Sequence, residues 1–159
     1  VVDQGVSGLL VMPPSQSGLD NTIAHYQAIE AASGVPIAIL DYPPMTGKLS
    51  VSFLKTLVEE VKEIQGIKLE DTPTPVKIAQ LRDALGSRLG ILGAMGGLHC
   101  LPELEAGSDG LMTGYAYPEH LVGILNRFQS GDLAGAAADY ARFLPLLECE
   151  QKYGLEADR

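Results

Sequence analysis

Lys68 interrupts a short apolar run, "IQGIKL" (Ile64–Leu69), that breaks immediately into Glu70, Asp71, Thr72 and Pro73. Lysine is seldom buried unless paired, so its position calls for a chemical or an electrostatic reason. If the run is a strand, Ile67 and Leu69 share one face, and Gly66, Lys68 and Glu70 share the other. With helices packed on the apolar face, Lys68 points inward, into a hollow with little water. Desolvation disfavours an ammonium, and a neutral amine is a nucleophile that condenses with a ketone to give a Schiff base. The protonated imine is then an electron sink for making or breaking a bond next to the former carbonyl. The competing reading is an ordinary ion pair with Glu70 or Asp71, since structural pairs also place lysines in unusual surroundings.

The elements that would position Lys68 follow from changes in hydrophobic period. Short apolar runs bounded by glycine or proline occur at 7–14, 35–44, 64–69, 88–97 and 108–115. None alternates, which suits strands buried on both faces of a parallel sheet. Helical spacing fills the intervals. One helix ends at Gly34. A second starts from Ser50 as N-cap, with Phe53, Leu54, Leu57, Val58 and Val61 on one face. A third has Thr74 as N-cap and Pro75 in its first turn and stops at Gly86. A fourth contains Pro102, either kinked there or beginning near it, a fifth opens at Pro118, and a last, alanine-rich one is expected to break around Pro145. Strand–helix alternation repeated about five times means βα units with right-handed crossovers. Both a doubly wound sheet and a segment of a (β/α) barrel fit, and the 159 residues are too few for a full eight-unit barrel, which takes about 250.

In either architecture chemistry gathers at the carboxyl ends of the strands. Those ends are 13–17, 41–46, 68–72, 93–97 and 113–117. The glycines of "LGAMGG" (Leu92–Gly97) fit neither phosphate-loop pattern, which argues against nucleotide binding.

Bulk composition removes other classes. The net charge of -9 opposes binding to nucleic acid or to an anionic membrane. No apolar run has the roughly 18 residues of a membrane span, and no leader-like segment opens the chain. Cys100 and Cys149 form no CxxC pair, and His25, His99 and His120 lack metal-ligand spacing. Reduced thiols, a cytoplasmic location and no metal are the expectation. Glu59, Glu60 and Glu63 mix with Lys55 and Lys62 as a solvated helix face, and His99 and His120 read as surface or capping residues.

Four stretches, "GVSGLLVMPP", "VPIAILDYPPMTG", "GIKLED" and "EAGSDGLMTG", resemble in order and spacing the dihydrodipicolinate synthase / N-acetylneuraminate lyase family. The resemblance covers nearly the whole chain. It implies an α/β fold of parallel (β/α)-barrel type, with residues 1–159 forming one partial barrel domain: about strands four to eight of a TIM barrel plus C-terminal helices, the earlier strands lying upstream of Val1. It further implies a class I aldolase or lyase acting on pyruvate or a related 2-oxo acid, with Lys68 at the position of the Schiff-base lysine and no organic cofactor. Family members are commonly dimers or tetramers, so a homo-oligomer is expected.

The departures bear on function. The family's strand-five tyrosine, a proton relay, falls on Leu40, and Tyr42, two residues on, is the candidate substitute. The arginine that dihydrodipicolinate synthases use for a second carboxylate falls on Met45, and their strand-four aromatic pair falls on Pro14 and Ser15. The hydroxyl-rich loop that holds the keto acid's carboxylate would lie upstream, which leaves Thr46 and Thr113 as candidates here. Leu40, Met45, Gly93, Met112 and Thr113 are the expected substrate-binding positions, Met112 through its backbone. The alternative to a working lyase is a non-catalytic fragment, or an oxo-acid binder without the relay.

Overall fold

The computed structural model describes residues 2–153. Five parallel strands form one sheet: β1 (Leu9–Val11), β2 (Ile37–Asp41), β3 (Ile64–Leu69), β4 (Gly90–Gly93) and β5 (Gly110–Leu111). Their spatial order is β1-β2-β3-β4-β5. That order separates the two candidate architectures. A doubly wound sheet reverses its strand order so that helices cover both faces. Sequential order with right-handed crossovers puts every connecting helix on the same face, as in an arc of a barrel.

The connecting helices are α1 (Leu19–Ser33), the single turn α2 (Pro43–Thr46), α3 (Val51–Glu60), α4 (Thr74–Leu85) and α5 (Cys100–Glu105). The chain finishes with α6 (Pro118–Gln129) and α7 (Leu133–Tyr153). On the helix-facing side Ile37, Ile39, Ile67, Leu69 and Ile91 are buried against Tyr26, Leu54, Leu57, Ile78 and Leu81. Burial of each such side chain contributes about 1.5–3 kcal/mol. Ala38, Leu40, Gly66, Lys68 and Leu92 lie on the opposite face and are only partly buried. A register irregularity between Ile37 and Ala38, opposite Ile64 and Gly66, lets Ile64 and Ile67 both face the helices. Gly66 then begins the alternation that turns Lys68 to the inner face.

Several ends follow their expected chemistry. Ser50 Oγ accepts the Phe53 N–H at 3.1 Å, and Gly34 terminates α1 in the left-handed region at φ 61°. Two expectations need correction. Thr74 is the first residue of α4 rather than its cap, and Pro73 holds the cap position. The Thr74 hydroxyl instead turns into the core and donates to Glu103. The last helix also does not break at Pro145, which lies inside α7. Proline removes one backbone donor, but Phe143, Leu146 and Leu147 on either side of it pack into a second apolar cluster with Cys100, Leu104, Leu121 and Ile124, and that packing carries the helix through. His120 is partly buried in the same region: its ring stacks on Phe143 at 3.8 Å between centroids, and its Nδ1 lies 3.2 Å from the Tyr115 hydroxyl.

Candidate active site at the carboxyl end of the central strand

β3 is the middle strand, and its last residues sort by side. Lys68 is in register with Leu40 of β2 and Leu92 of β4, so an apolar side chain flanks it on each neighbouring strand. Glu70 lies two residues on, and its carboxylate meets Lys68 Nζ at 2.9 Å. The two side chains retain 21% and 16% of their exposure. Among the described residues, Lys68 is thus not a lone amine in a dry hollow: it is paired with Glu70 at a partly open mouth.

That mouth is a cleft of about 270 Å³ lined by Tyr42, Lys68, Glu70, Met95, Gly96, Thr113, Gly114 and Gln151. Four carboxyl-terminal loops and the end of α7 thus meet there. A larger hollow of about 590 Å³ adjoins it and shares Tyr42, Glu70 and Met95. The loop after β4 is tightly wound: Met95, Gly96 and Gly97 have φ of 53°, 66° and 81°. Glycine takes such angles freely, whereas a left-handed methionine is strained by about 1–2 kcal/mol. The turn is closed by the Gly97 and Leu98 N–H groups, which donate to the Ala94 and Met95 carbonyls at 3.0 and 3.1 Å.

Behind the strand ends, on the helix side, sits a second charged group. Lys77 of α4 donates to Asp41 at 2.6 Å, to the Leu49 carbonyl at 2.6 Å and to Asp71 at 2.9 Å. Burial raises the Asp41 carboxyl above the ordinary carboxylate range, opposed by the hydrogen bond and charge of Lys77. This cluster ties the ends of β2 and β3 to α4 and to the segment before α3. Close to it, Glu103 of α5 is fully buried and accepts the Thr74 hydroxyl at 2.5 Å. Its second oxygen has no hydrogen-bond partner, and burial pushes its pKa up to about 7.

The site positions expected from sequence distribute as follows. Lys68, Tyr42 and Thr113 come together in one cleft. Leu40 stands beside Lys68 in the sheet without lining that cleft. Met45 is on α2, about half exposed at 55%, and is not among the cleft residues. Met112 lines a separate apolar hollow on the inner face, with Leu10, Ala38, Gly66 and Leu92. Gly93 is buried, its carbonyl accepts the Met112 N–H at 2.8 Å, and its α-carbon lies against the Glu103 carboxyl, where a β-carbon would overlap an oxygen. Thr46 is buried and donates to the Gly47 carbonyl at 2.8 Å, away from the lysine.

Lys77, Asp41, Glu103 and Gln151 were not singled out from sequence. The first three carry a readable signal. Asp41 continues the alternation of Ile37 and Ile39, and Lys77 lies on the stripe of Thr74, Ile78 and Leu81. Glu103 shares the face of Cys100 and Leu104. Each is a charged residue at a core position of its own element. No local signal marks Gln151, which reaches the cleft only through the packing of α7.

Residues 1–155 match the sequence profile of the dihydrodipicolinate synthetase family. The chain belongs to that family. Among its curated relatives, an L-2-keto-3-deoxyarabonate dehydratase of Azospirillum brasilense is 29% identical over 93% of this chain and 50% of its own length. A 4-hydroxy-tetrahydrodipicolinate synthase of Moorella thermoacetica is 31% identical over 91% of this chain and 50% of its own. The solved dihydrodipicolinate synthase of Rhodopseudomonas palustris superposes with a TM-score of 0.84 at 30% identity, covering 97% of this chain and 54% of that one. The 4-hydroxy-tetrahydrodipicolinate synthase of Methylacidiphilum fumariolicum gives 0.86 at 25% identity, covering 97% and 52%. The chain thus spans about half the length of the relatives it matches, and its five-stranded arc is a partial barrel of the dihydrodipicolinate synthetase family. No helix among the described residues is long and apolar enough to cross a membrane.

Proposed function

We propose that this chain carries the Schiff-base half of a lyase or aldolase acting on pyruvate or a related 2-oxo acid, with Lys68 as nucleophile. The observation that carries the reading is the convergence of Lys68, Glu70, Tyr42 and Thr113 on one cleft at the carboxyl end of the central strand. Strand ends are where barrel enzymes keep their chemistry. Family membership supports the same reaction class.

In this reading Glu70, 2.9 Å from Nζ, takes the ammonium proton as substrate enters and frees the amine. Nζ then attacks C2 of the oxo acid, whose oxygen gains a proton and becomes a hydroxyl. That hydroxyl leaves as water, and the nitrogen retains the positive charge as a protonated imine. Loss of a proton from C3 gives the enamine. The enamine adds through C3 to an aldehyde, or expels a leaving group from C4, and water finally releases the product and restores the amine. Tyr42 is the hydroxyl proposed to pass protons to and from the substrate oxygen, and Thr113 is a donor for the substrate carboxylate. Leu40 and Met45 stand where the family's synthases place a tyrosine and an arginine, so a substrate with a second carboxylate fits this chain poorly.

A second reading, an oxo-acid binder without turnover, is favoured by that missing tyrosine. One experiment separates the two. The protein is incubated with pyruvate, reduced with borohydride and weighed. A mass gain of one reductively attached pyruvate, absent in Lys68→Ala, supports the lyase. No gain from folded protein that still binds pyruvate refutes imine formation and supports the binder.

A further inference from the structure

The lysine cleft is not built from barrel loops alone. Gln151, from the last turn of α7, also lines it, although more than half the chain separates it in sequence from Lys68. Gln151 is exposed, and the helix end that carries it is fixed from several directions. Leu147, one turn earlier, is buried in the second apolar cluster. The neighbouring Glu150 is buried and accepts the Ala116 N–H at 3.3 Å, which ties the helix end to the loop after β5. Tyr140 donates to the Leu98 carbonyl at 2.7 Å, which ties α7 to the loop after β4. The space for the carboxamide comes from Gly96: a β-carbon there would stand 3.2 Å from Gln151 Oε1, and its φ of 66° disfavours any side chain.

The chemistry of the remaining wall points the same way. Lys68 and Glu70 satisfy each other. The loop after β4 contributes Met95 and Gly96, neither of which has a strong polar group in its side chain. With Tyr42 and Thr113 assigned to the keto oxygen and the carboxylate, the polar side chain left in the lining for the rest of the substrate is that of Gln151. A carboxamide offers donors and an acceptor and no charge, so its natural complement is a hydroxyl group. A second carboxylate would call for a cation, and among the described residues lining the cleft the cation is the one already paired with Glu70.

We propose that Gln151 is a specificity-determining residue that hydrogen-bonds a hydroxyl on the part of the 2-oxo acid remote from the keto carbon. The favoured substrate class is then a hydroxylated, sugar-acid-like 2-oxo acid. The proposal rests on the imine reading of Lys68.

The test compares two probes, pyruvate and 2-keto-3-deoxyarabonate, as rates of borohydride trapping on the whole chain. The quantity read is the ratio of the hydroxylated probe to pyruvate. Gln151→Leu is expected to lower that ratio about tenfold, the equivalent of about 1.4 kcal/mol. Gln151→Glu, which keeps the length and the acceptor oxygen, should give an intermediate value. Because only a ratio is read, a uniform loss of folded protein does not imitate the effect. An unchanged ratio in both variants, with pyruvate still trapped, overturns the role of Gln151 and leaves the lysine reading intact. Failure of the unaltered protein to trap pyruvate at all overturns both.

Discussion

Glu103 offers a quantitative test of the packing behind the site. Its carboxyl is fully buried, bonded to one hydroxyl, with one oxygen unpartnered against Gly93. Desolvation lifts its pKa from 4.5 to about 7, and the Thr74 hydrogen bond opposes the rise only in part. A carboxyl whose folded pKa is raised binds its proton more tightly in the folded state. The associated stability is complete below the unfolded value of 4.5 and is lost as pH rises toward about 7. Each pH unit in that window is worth about 1.4 kcal/mol, so this one group should cost the fold about 3 kcal/mol between its two ends. Glu103→Gln removes the titration while keeping an acceptor for Thr74. The expected result is a difference in unfolding free energy, mutant minus unaltered protein, that climbs by about 3 kcal/mol from pH 4.5 to 7.5 and is flat above. Urea titrations followed by circular dichroism at half-unit intervals measure it, and taking the difference cancels Asp41 and the other titrating groups. The absolute offset carries the cost of the buried amide nitrogen, about 1–3 kcal/mol, so the slope is the decisive quantity. Parallel pH profiles for the two proteins would refute the reasoning.

Three further outcomes follow from the same region. Lys77→Met leaves Asp41 and Asp71 without their shared ammonium and should destabilise by about 3–5 kcal/mol in urea unfolding, with part of the loss recovered when Asp41→Asn is added. Gly93→Ala should cost about 1–3 kcal/mol by overpacking, and a double-mutant cycle with Glu103→Ala should show most of that cost disappearing, because the β-carbon meets the Glu103 carboxyl. Ser50→Ala removes the acceptor for the Phe53 N–H and should lower thermal unfolding stability by about 1 kcal/mol.

Much of the fold was legible in the residues because its signals are local. Non-alternating apolar runs marked all five strands, and the Ser50 and Gly34 ends declare themselves through side-chain and backbone chemistry. Lys68 and Glu70 could be assigned to one face by counting from Ile67 and Leu69. What failed to show is long-range. Thr74 reads as a cap until Glu103, nearly thirty residues later, supplies a buried acceptor. Pro145 reads as a break until the cluster around Leu121 and Leu147 is assembled. Nothing local to Gly93 shows that it also makes room for a carboxyl from α5. Gln151 is invisible for the same reason: nothing in "LECEQKY" says which cleft the helix end will meet.

The two lysines near the strand ends show why position on the sheet matters more than burial alone. Lys77 reaches from α4 to the helix side of the sheet, bonds three acceptors and joins four segments of chain; removing it leaves charge stranded in the core, so packing alone accounts for its presence. Lys68 faces the other way and holds one partner at a partly solvated mouth, where its loss leaves a single carboxylate with access to water rather than two behind the strand ends. Leu40 and Leu92, its register neighbours, show that the sheet accepts a plain aliphatic residue in that row. The sheet therefore has little need of an amine at position 68, and an energetic account confined to folding leaves that residue unexplained. If Lys68→Leu proved as destabilising as Lys77→Met, the asymmetry would vanish, and with it the reason to look for chemistry at the first lysine rather than structure.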